Sequence, residues 1–216
     1  MSLRAAIFDM DGLLFDTEHL FLTYSKVAKD EMGFSIPEEL HIETIGRTVE
    51  DTRKIFLEYL GQDFPLDTFL VRTKELVDEH VERYGMPVKP GAVELLRELR
   101  RYGVMIILAS SSPVCSIEEN LAVANMRSFF DLIVSGEEVE HGKPAPDIFL
   151  LAAERGGVAP EECLVFEDSN NGALAGCAAG MRTVMVPDVK PPTPQVRGRV
   201  YKIFSALPPQ LYELWW

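Results

Sequence analysis

IFDMDGLLFDTE, residues 7–18, sets an apolar run against two carboxylates, Asp9 and Asp11, with a glycine directly behind them. An apolar run ending in acids and a glycine reads as a short buried strand at the point where it leaves the interior. A calcium loop would need glycine at its sixth position and glutamate at its twelfth. Counting from Asp9, those positions hold Leu14 and Leu20, so that reading fails. Taken alone, DMDG is equally well a polar turn after a strand, and the rest of the chain has to decide.

The same apolar pattern recurs at Ala5–Phe8, Val104–Leu108, Leu132–Val134, Cys163–Phe166 and Thr183–Val186. Helical patterns lie between them: Ala92–Tyr102 stopped by Gly103, Ser116–Ala124, Asp147–Arg155 behind Pro146, and Gly172–Ala179 before Gly180. Uniformly apolar strands alternating with helices predict a parallel sheet covered on both faces, the doubly wound, Rossmann-like α/β arrangement. Ligands of such sheets bind beyond the carboxyl ends of the strands.

Residues 16–87 break this rhythm. Amphipathic stretches at Thr17–Met32, Glu50–Leu60 and Leu66–Tyr84 are punctuated by Gly33, Pro37, Gly61, Pro65, Gly85 and Pro87, and no strand pattern stands among them. The segment reads as an all-helical cap inserted between two parts of one core, residues 1–15 and 88–216. It leaves just after the first strand and returns near Val88, so its two crossings are expected side by side, as hinges over the sheet's carboxyl edge.

Composition removes several classes of function. The chain has 216 residues, 47% of them apolar, which is ample for a packed core. Its net charge of -13 repels phosphate backbones, arguing against nucleic-acid partners and requiring any anionic ligand to be held locally. No apolar run approaches the ~20 residues that span a bilayer, and no signal-like start is present. Cys115, Cys163 and Cys177 are an odd set without close pairing, expected as reduced, buried thiols. These readings predict a cytoplasmic protein, with a monomer as the default and the terminal Trp215 and Trp216 packed on its own core. His19, His41, His80 and His141 lack metal-ligand spacing and are expected in surface or packing roles.

Three more strand ends carry matching chemistry. LASSSP (108–113) offers hydroxyls and backbone amides that can form an anion-binding nest. In HGKPAPDIFL (141–150), Lys143 sits between a glycine and Pro144, on a loop that Pro146 also restrains, where its charge suits a phosphate. VFEDSNNG (165–172) supplies a second acid pair, Glu167 and Asp168; a helix cap would need one of the two. Four or five carboxylates facing each other at one sheet edge call for a cation. Magnesium (Mg2+) fits best, since it takes one or two carboxylates, keeps waters and shares phosphate oxygens.

With these four motifs in this order, the whole chain resembles the haloacid dehalogenase-like superfamily of phosphotransferases, in its members with a helical cap after the first motif. FDMDGLLFDTE, HGKPAPDIFL, CLVFEDSNNG and AAGMRTVMVPD are most similar to the pseudouridine-5′-phosphatase and β-phosphoglucomutase-like branches. The resemblance implies that Asp9 is the nucleophile and Asp11 the proton donor and acceptor. Asp9, the backbone carbonyl of Asp11, and Asp168 would hold magnesium, with Glu167 as ligand or support. Ser110, the Ser111 amide and Lys143 would bind the transferring phosphoryl group. Thr17, Arg47 and Asn171 are candidate substrate contacts.

The histidine that mutases of this kind carry four residues after the threonine is replaced by Phe21, with His19 two residues too early, and their cap arginine has no obvious counterpart where VED stands near residue 50, Arg47 being the best substitute. These departures favour a phosphatase acting on a small sugar phosphate or nucleotide-like metabolite over a mutase. A non-catalytic phosphometabolite sensor could dispense with Asp9 or Asp11, and both are present. Dehalogenation would use one aspartate without the magnesium set.

Overall fold

The structure, a computed structural model, describes residues 3–44 and 49–210. Arg47 and the terminal tryptophans lie outside the described residues. Six strands form one parallel sheet: β1 (Ala5–Phe8), β2 (Met105–Ser110), β3 (Leu132–Ser135), β4 (Cys163–Glu167), β5 (Arg182–Met185) and β6 (Lys202–Ile203), in the order β3-β2-β1-β4-β5-β6. β1 lies at the centre between β2 and β4, and all its residues are buried. Its side chains alternate between two cores, as the period of two demands. Ala6 and Phe8 join Leu95, Leu96 and Leu99 of α5 (Ala92–Arg101) and Ile117 and Leu121 of α6 (Val114–Val123) on one face. Ala5 and Ile7 meet Phe149 and Ala152 of α7 (Asp147–Gly156) and Ala175 of α8 (Asn170–Ala178) on the other.

Register brings the motifs to one level. Phe8 pairs with Leu108 on one side and Phe166 on the other, and the Phe8 and Phe166 rings stack at 4.5 Å. The residues just beyond, from Asp9, Ser110 and Glu167 onward, therefore emerge together at the carboxyl edge.

Between β1 and α5 the chain runs through α1 (Thr17–Met32), α2 (Glu38–Thr44), α3 (Val49–Leu60) and α4 (Leu66–Tyr84), with no strand among the described residues of this stretch. These helices bury an apolar cluster of their own, with Phe56, Phe69, Leu40 and Leu66 inside it. The two crossings are neighbours: Phe15 and Val88 form an antiparallel bridge, Asp16 N donates to Pro87 O and Lys89 N to Leu14 O, each at 2.8 Å.

Three expectations need correction. β2 and β4 run further than their apolar runs, so Ser110 and Glu167 are strand residues with buried side chains. The sixth strand, at the sheet's edge, has no counterpart among the predicted strands. Cys115 is exposed rather than buried: it lies two residues from the buried Ile117, on the opposite side of α6.

Candidate active site

Asp9 continues the line of β1, its N–H donating to Phe166 O at 3.0 Å. Its side chain is buried against Lys143, whose Nζ lies 2.5 Å from Asp9 Oδ1, 2.6 Å from Glu167 Oε1 and 3.3 Å from Ala109 O. The Phe149 ring closes over the ammonium at 5.1 Å. Lys143, deep in the fold, is thus a buried cation bridging two strand ends.

Glu167 is saturated by its surroundings. Beyond its bond from Lys143, Oε2 accepts from Asp168 N, Ser169 N and Ser169 Oγ, each at 3.0 Å. Ser169 also caps α8 by accepting from Gly172 N at 3.0 Å. Gly172 has to be glycine, because a Cβ there would overlap the Glu167 carboxylate. Asp9, Glu167 and Asp168 all line the cleft, with ligand atoms within 4.8 Å of one another, but Glu167 is the one whose two oxygens are both engaged by Lys143 and the turn into α8.

Asp11 is aimed by hydroxyls. Thr17 Oγ1 donates to its Oδ1 at 2.7 Å, and Ser112 Oγ to its Oδ2 at 2.8 Å, with Ser110 Oγ further off at 3.5 Å. Ser110 Oγ in turn accepts from Ser112 N at 3.1 Å, and Ser135 Oγ braces the serine loop by donating to Ser112 O at 2.7 Å. Thr17, expected against substrate, therefore has its hydroxyl committed to Asp11.

Burial pushes the Asp9 carboxyl up to about 7, with the charges of Glu167 and Asp11 adding to it and Lys143 opposing. Asp168 is raised well above the usual carboxylate range, first by burial and then by Glu167 and Asp9. Glu18 is pushed up to about 8 by burial and by Asp11, Asp9 and Asp188. Burial works against the charge on Lys143, yet Asp9 and Glu167 outweigh it and hold the ammonium above the usual lysine range. One buried cation thus leaves the acid group under-neutralised.

That imbalance is a test of whether a divalent cation fits, and two further observations agree. Gly12 adopts φ +78°, and a Cβ placed on it would lie 2.5 Å from Asp168 Oδ2 and 3.1 Å from Asp188 Oδ2, so the glycine keeps a cradle open between these acids. Asp188 Oδ2 is buried and has no hydrogen-bond partner among the described residues. An all-oxygen donor set of this kind suits magnesium.

A cleft of about 890 Å³ opens between this edge and the helical insertion, lined by Asp9, Asp11, Ser110, Ser111 and Lys143 on one side and by α1 and α4 on the other. Of the sequence-expected contacts, Thr17 and Ser111 line it, whereas Asn171 is not among its lining residues. Arg47 is outside the described residues. Sequence reasoning missed Ser112, Glu18 and Asp188, and also Lys89, whose Nζ lies 2.8 Å from Asp16 Oδ1 and 2.5 Å from Asp188 Oδ1. His19 joins that group, 2.7 Å from Asp16 Oδ1. Ser112 was within the quoted LASSSP motif; the Lys89 group joins residues distant in sequence and had no local signal.

This sheet, with its acid pairs, buried lysine and serine loop at one edge, is the architecture of a phosphotransferase of the haloacid dehalogenase type. The chain belongs to the haloacid dehalogenase-like hydrolase family, whose sequence pattern matches residues 6–186. It is 38% identical over 190 residues to the "Probable pseudouridine-5′-phosphatase" of Drosophila melanogaster, covering 84% of this chain and 80% of that one. It is 34% identical to the phosphorylated carbohydrates phosphatase of Thermotoga maritima, covering 84% of each. Among solved structures, a haloacid dehalogenase family hydrolase from Deinococcus radiodurans with bound phosphate and sodium superimposes with TM-score 0.73 at 26% identity, covering 98% of this chain and 93% of that one.

Proposed function

We propose that this protein is a magnesium-dependent phosphomonoester hydrolase acting on a small sugar phosphate or nucleotide-like metabolite through an aspartyl phosphate. The observation that carries the reading is Lys143, buried between Asp9 and Glu167 in a cleft where Asp11 is aimed by Thr17 and Ser112. The Deinococcus radiodurans relative, solved with bound phosphate and sodium, is in keeping with a protein that takes both an anion and a cation.

In this mechanism Asp9, Asp168 and the Asp11 backbone carbonyl would hold magnesium, which would offset charge on the phosphoryl oxygens. Ser110, the Ser111 amide and Lys143 orient the phosphoryl group. Asp9 attacks phosphorus, the ester P–O bond breaks, and Asp11 gives its proton to the leaving oxygen. Water then attacks the aspartyl phosphate, Asp11 takes the water's proton, and Asp9 is released as a carboxylate with free phosphate. Glu167 holds Lys143 and the start of α8 in place. Residues 16–87 act as a cap that excludes bulk water from the core formed by 1–15 and 88–216.

A mutase would have to grip a second phosphate at the cap. Among the described residues lining the cleft, Lys74 is the one cation besides Lys143, and it is already 2.6 Å from Asp78, with Glu18, Glu82 and Glu119 nearby in the lining. That acid-rich lining favours monophosphates with polar, uncharged leaving groups.

The test is magnesium-dependent phosphate release over pseudouridine 5′-monophosphate, common nucleotides and sugar phosphates, with Asp9→Asn as the blank. Release that disappears with chelator and in the blank is the expected result. Undiminished release by Asp9→Asn would overturn the reading, and conversion of β-glucose 1-phosphate to its 6-phosphate isomer without release would replace it by the mutase.

A further inference from the structure

We propose that Asp188 is a positioning residue for the divalent cation held by Asp9 and Asp168: one of its oxygens accepts a hydrogen bond from a cation-bound water, and the other is fixed by Lys89. This rests on the metal-dependent reading above. Asp188 follows β5 by a few residues, and its side chain is 5% exposed. Its Oδ1 takes the Lys89 ammonium at 2.5 Å and lies 3.5 Å from His19 Nδ1. Its Oδ2 is the orphan.

A buried carboxylate oxygen left without a donor is a standing cost to the fold, and since no donor reaches it from the described residues, we assign that donor to a bound water. The direction it faces is defined by Gly12. The point where a Cβ would stand is 3.1 Å from Asp188 Oδ2 and 2.5 Å from Asp168 Oδ2, so two acid oxygens look into one gap that the glycine keeps clear. Like charges across a gap need something positive or protic between them. Magnesium retains several waters when bound by few carboxylates, and such a water, its hydrogens turned outward, satisfies Asp188 while its oxygen stays on the cation. Partners at this remove commonly set metal affinity as strongly as the ligands' orientation does. The competing reading gives Asp188 only the task of pinning the hinge through Lys89 and Asp16.

The experiment titrates Mn2+ into substrate-free protein and follows free Mn2+ by its paramagnetic resonance. Asp188→Asn keeps the size of the side chain and is expected to weaken binding roughly 10–100-fold. Asp188→Ser, which removes the carboxylate without adding bulk, is expected to show the same loss. Lys89→Met cuts the hinge contact, spares the carboxylate, and is expected to weaken binding clearly less than either. Wild-type affinity in both Asp188 variants, or an equal loss in Lys89→Met, overturns the proposal. Failure of the wild type to bind Mn2+ in a manner lost with Asp168→Asn would instead overturn the metal-dependent reading itself, and this inference with it.

Discussion

Asp9→Asn, the substitution expected to abolish turnover, is also expected to stabilise the cation-free protein at neutral pH. The reason lies in the burial of Asp9 beside Glu167 and Asp11, which moves its pKa from 3.8 to about 7. A carboxyl raised in the fold binds more protons there than in the unfolded chain between about pH 4 and 7, so the wild type loses stability as pH rises through that window. The full rise corresponds to about 4 kcal/mol of ionisation cost. Asparagine keeps a carbonyl acceptor for Lys143 but gives up the charge that strengthens that bond, so a net gain of about 2 kcal/mol is the working figure. For a chain of this length it raises the melting temperature by about 4–8 °C. Thermal unfolding in chelator at about pH 8 should show this gain, and at about pH 5 it should shrink as wild-type Asp9 takes up its proton. Saturating magnesium should reverse the order, because binding stabilises the intact acid set more than the variant. A variant less stable than wild type in chelator at about pH 8, or a difference independent of pH, would refute the reasoning.

Lys143→Met removes the one cation between Asp9 and Glu167 and should cost about 3–5 kcal/mol in urea unfolding, the range for a buried charge deprived of its partner. Gly12→Ala combines a φ of +78°, worth about 1–2 kcal/mol of strain in a residue with a Cβ, with displacement of Asp168. Phosphate release should then require roughly 10–100-fold more magnesium. Phe69→Ala empties a fully buried position beside Phe56 and Phe64 and should destabilise the insertion by about 3–5 kcal/mol. Limited proteolysis should then cut within residues 17–84 before the core strands. Thr17→Val should lower turnover more than substrate binding, since its hydroxyl acts on Asp11, and a change confined to KM would contradict that role.

Much of this was legible because of how a parallel sheet is buried. Strands covered on both faces must be apolar throughout, so Ala5–Phe8 and Cys163–Phe166 stand out as runs, and the first polar residues after them mark the carboxyl edge. Asp9, Asp11, Glu167 and Asp168 were found that way, and Lys143 by the prolines that restrain its loop. β6 was invisible because a two-residue edge strand, Lys202 half-buried and Ile203 exposed, needs no apolar run; backbone bonds from Tyr201 N to Thr183 O and Phe204 N to Met185 O hold it. The saturation of Glu167 could not be read either, since it depends on amides presented by the turn into α8. Asp188 and Lys89 escaped for another reason: nothing local distinguishes an aspartate after a proline, or a lysine before one, from ordinary loop charge until the fold sets them 2.5 Å apart.

The bridge between Phe15 and Val88 has a consequence for the chain's architecture. Two antiparallel passes joined by Asp16 N to Pro87 O and Lys89 N to Leu14 O are, in geometry, the base of a β-hairpin whose turn has been replaced by a bundle of helices. A two-residue Asn-Gly turn could close the same ladder. The entropic cost of opening that loop to its present length grows only with the logarithm of the residues added. By that measure chain entropy sets little limit on the length of the helical segment between the two passes, and every strand of the sheet lies outside the loop that they close.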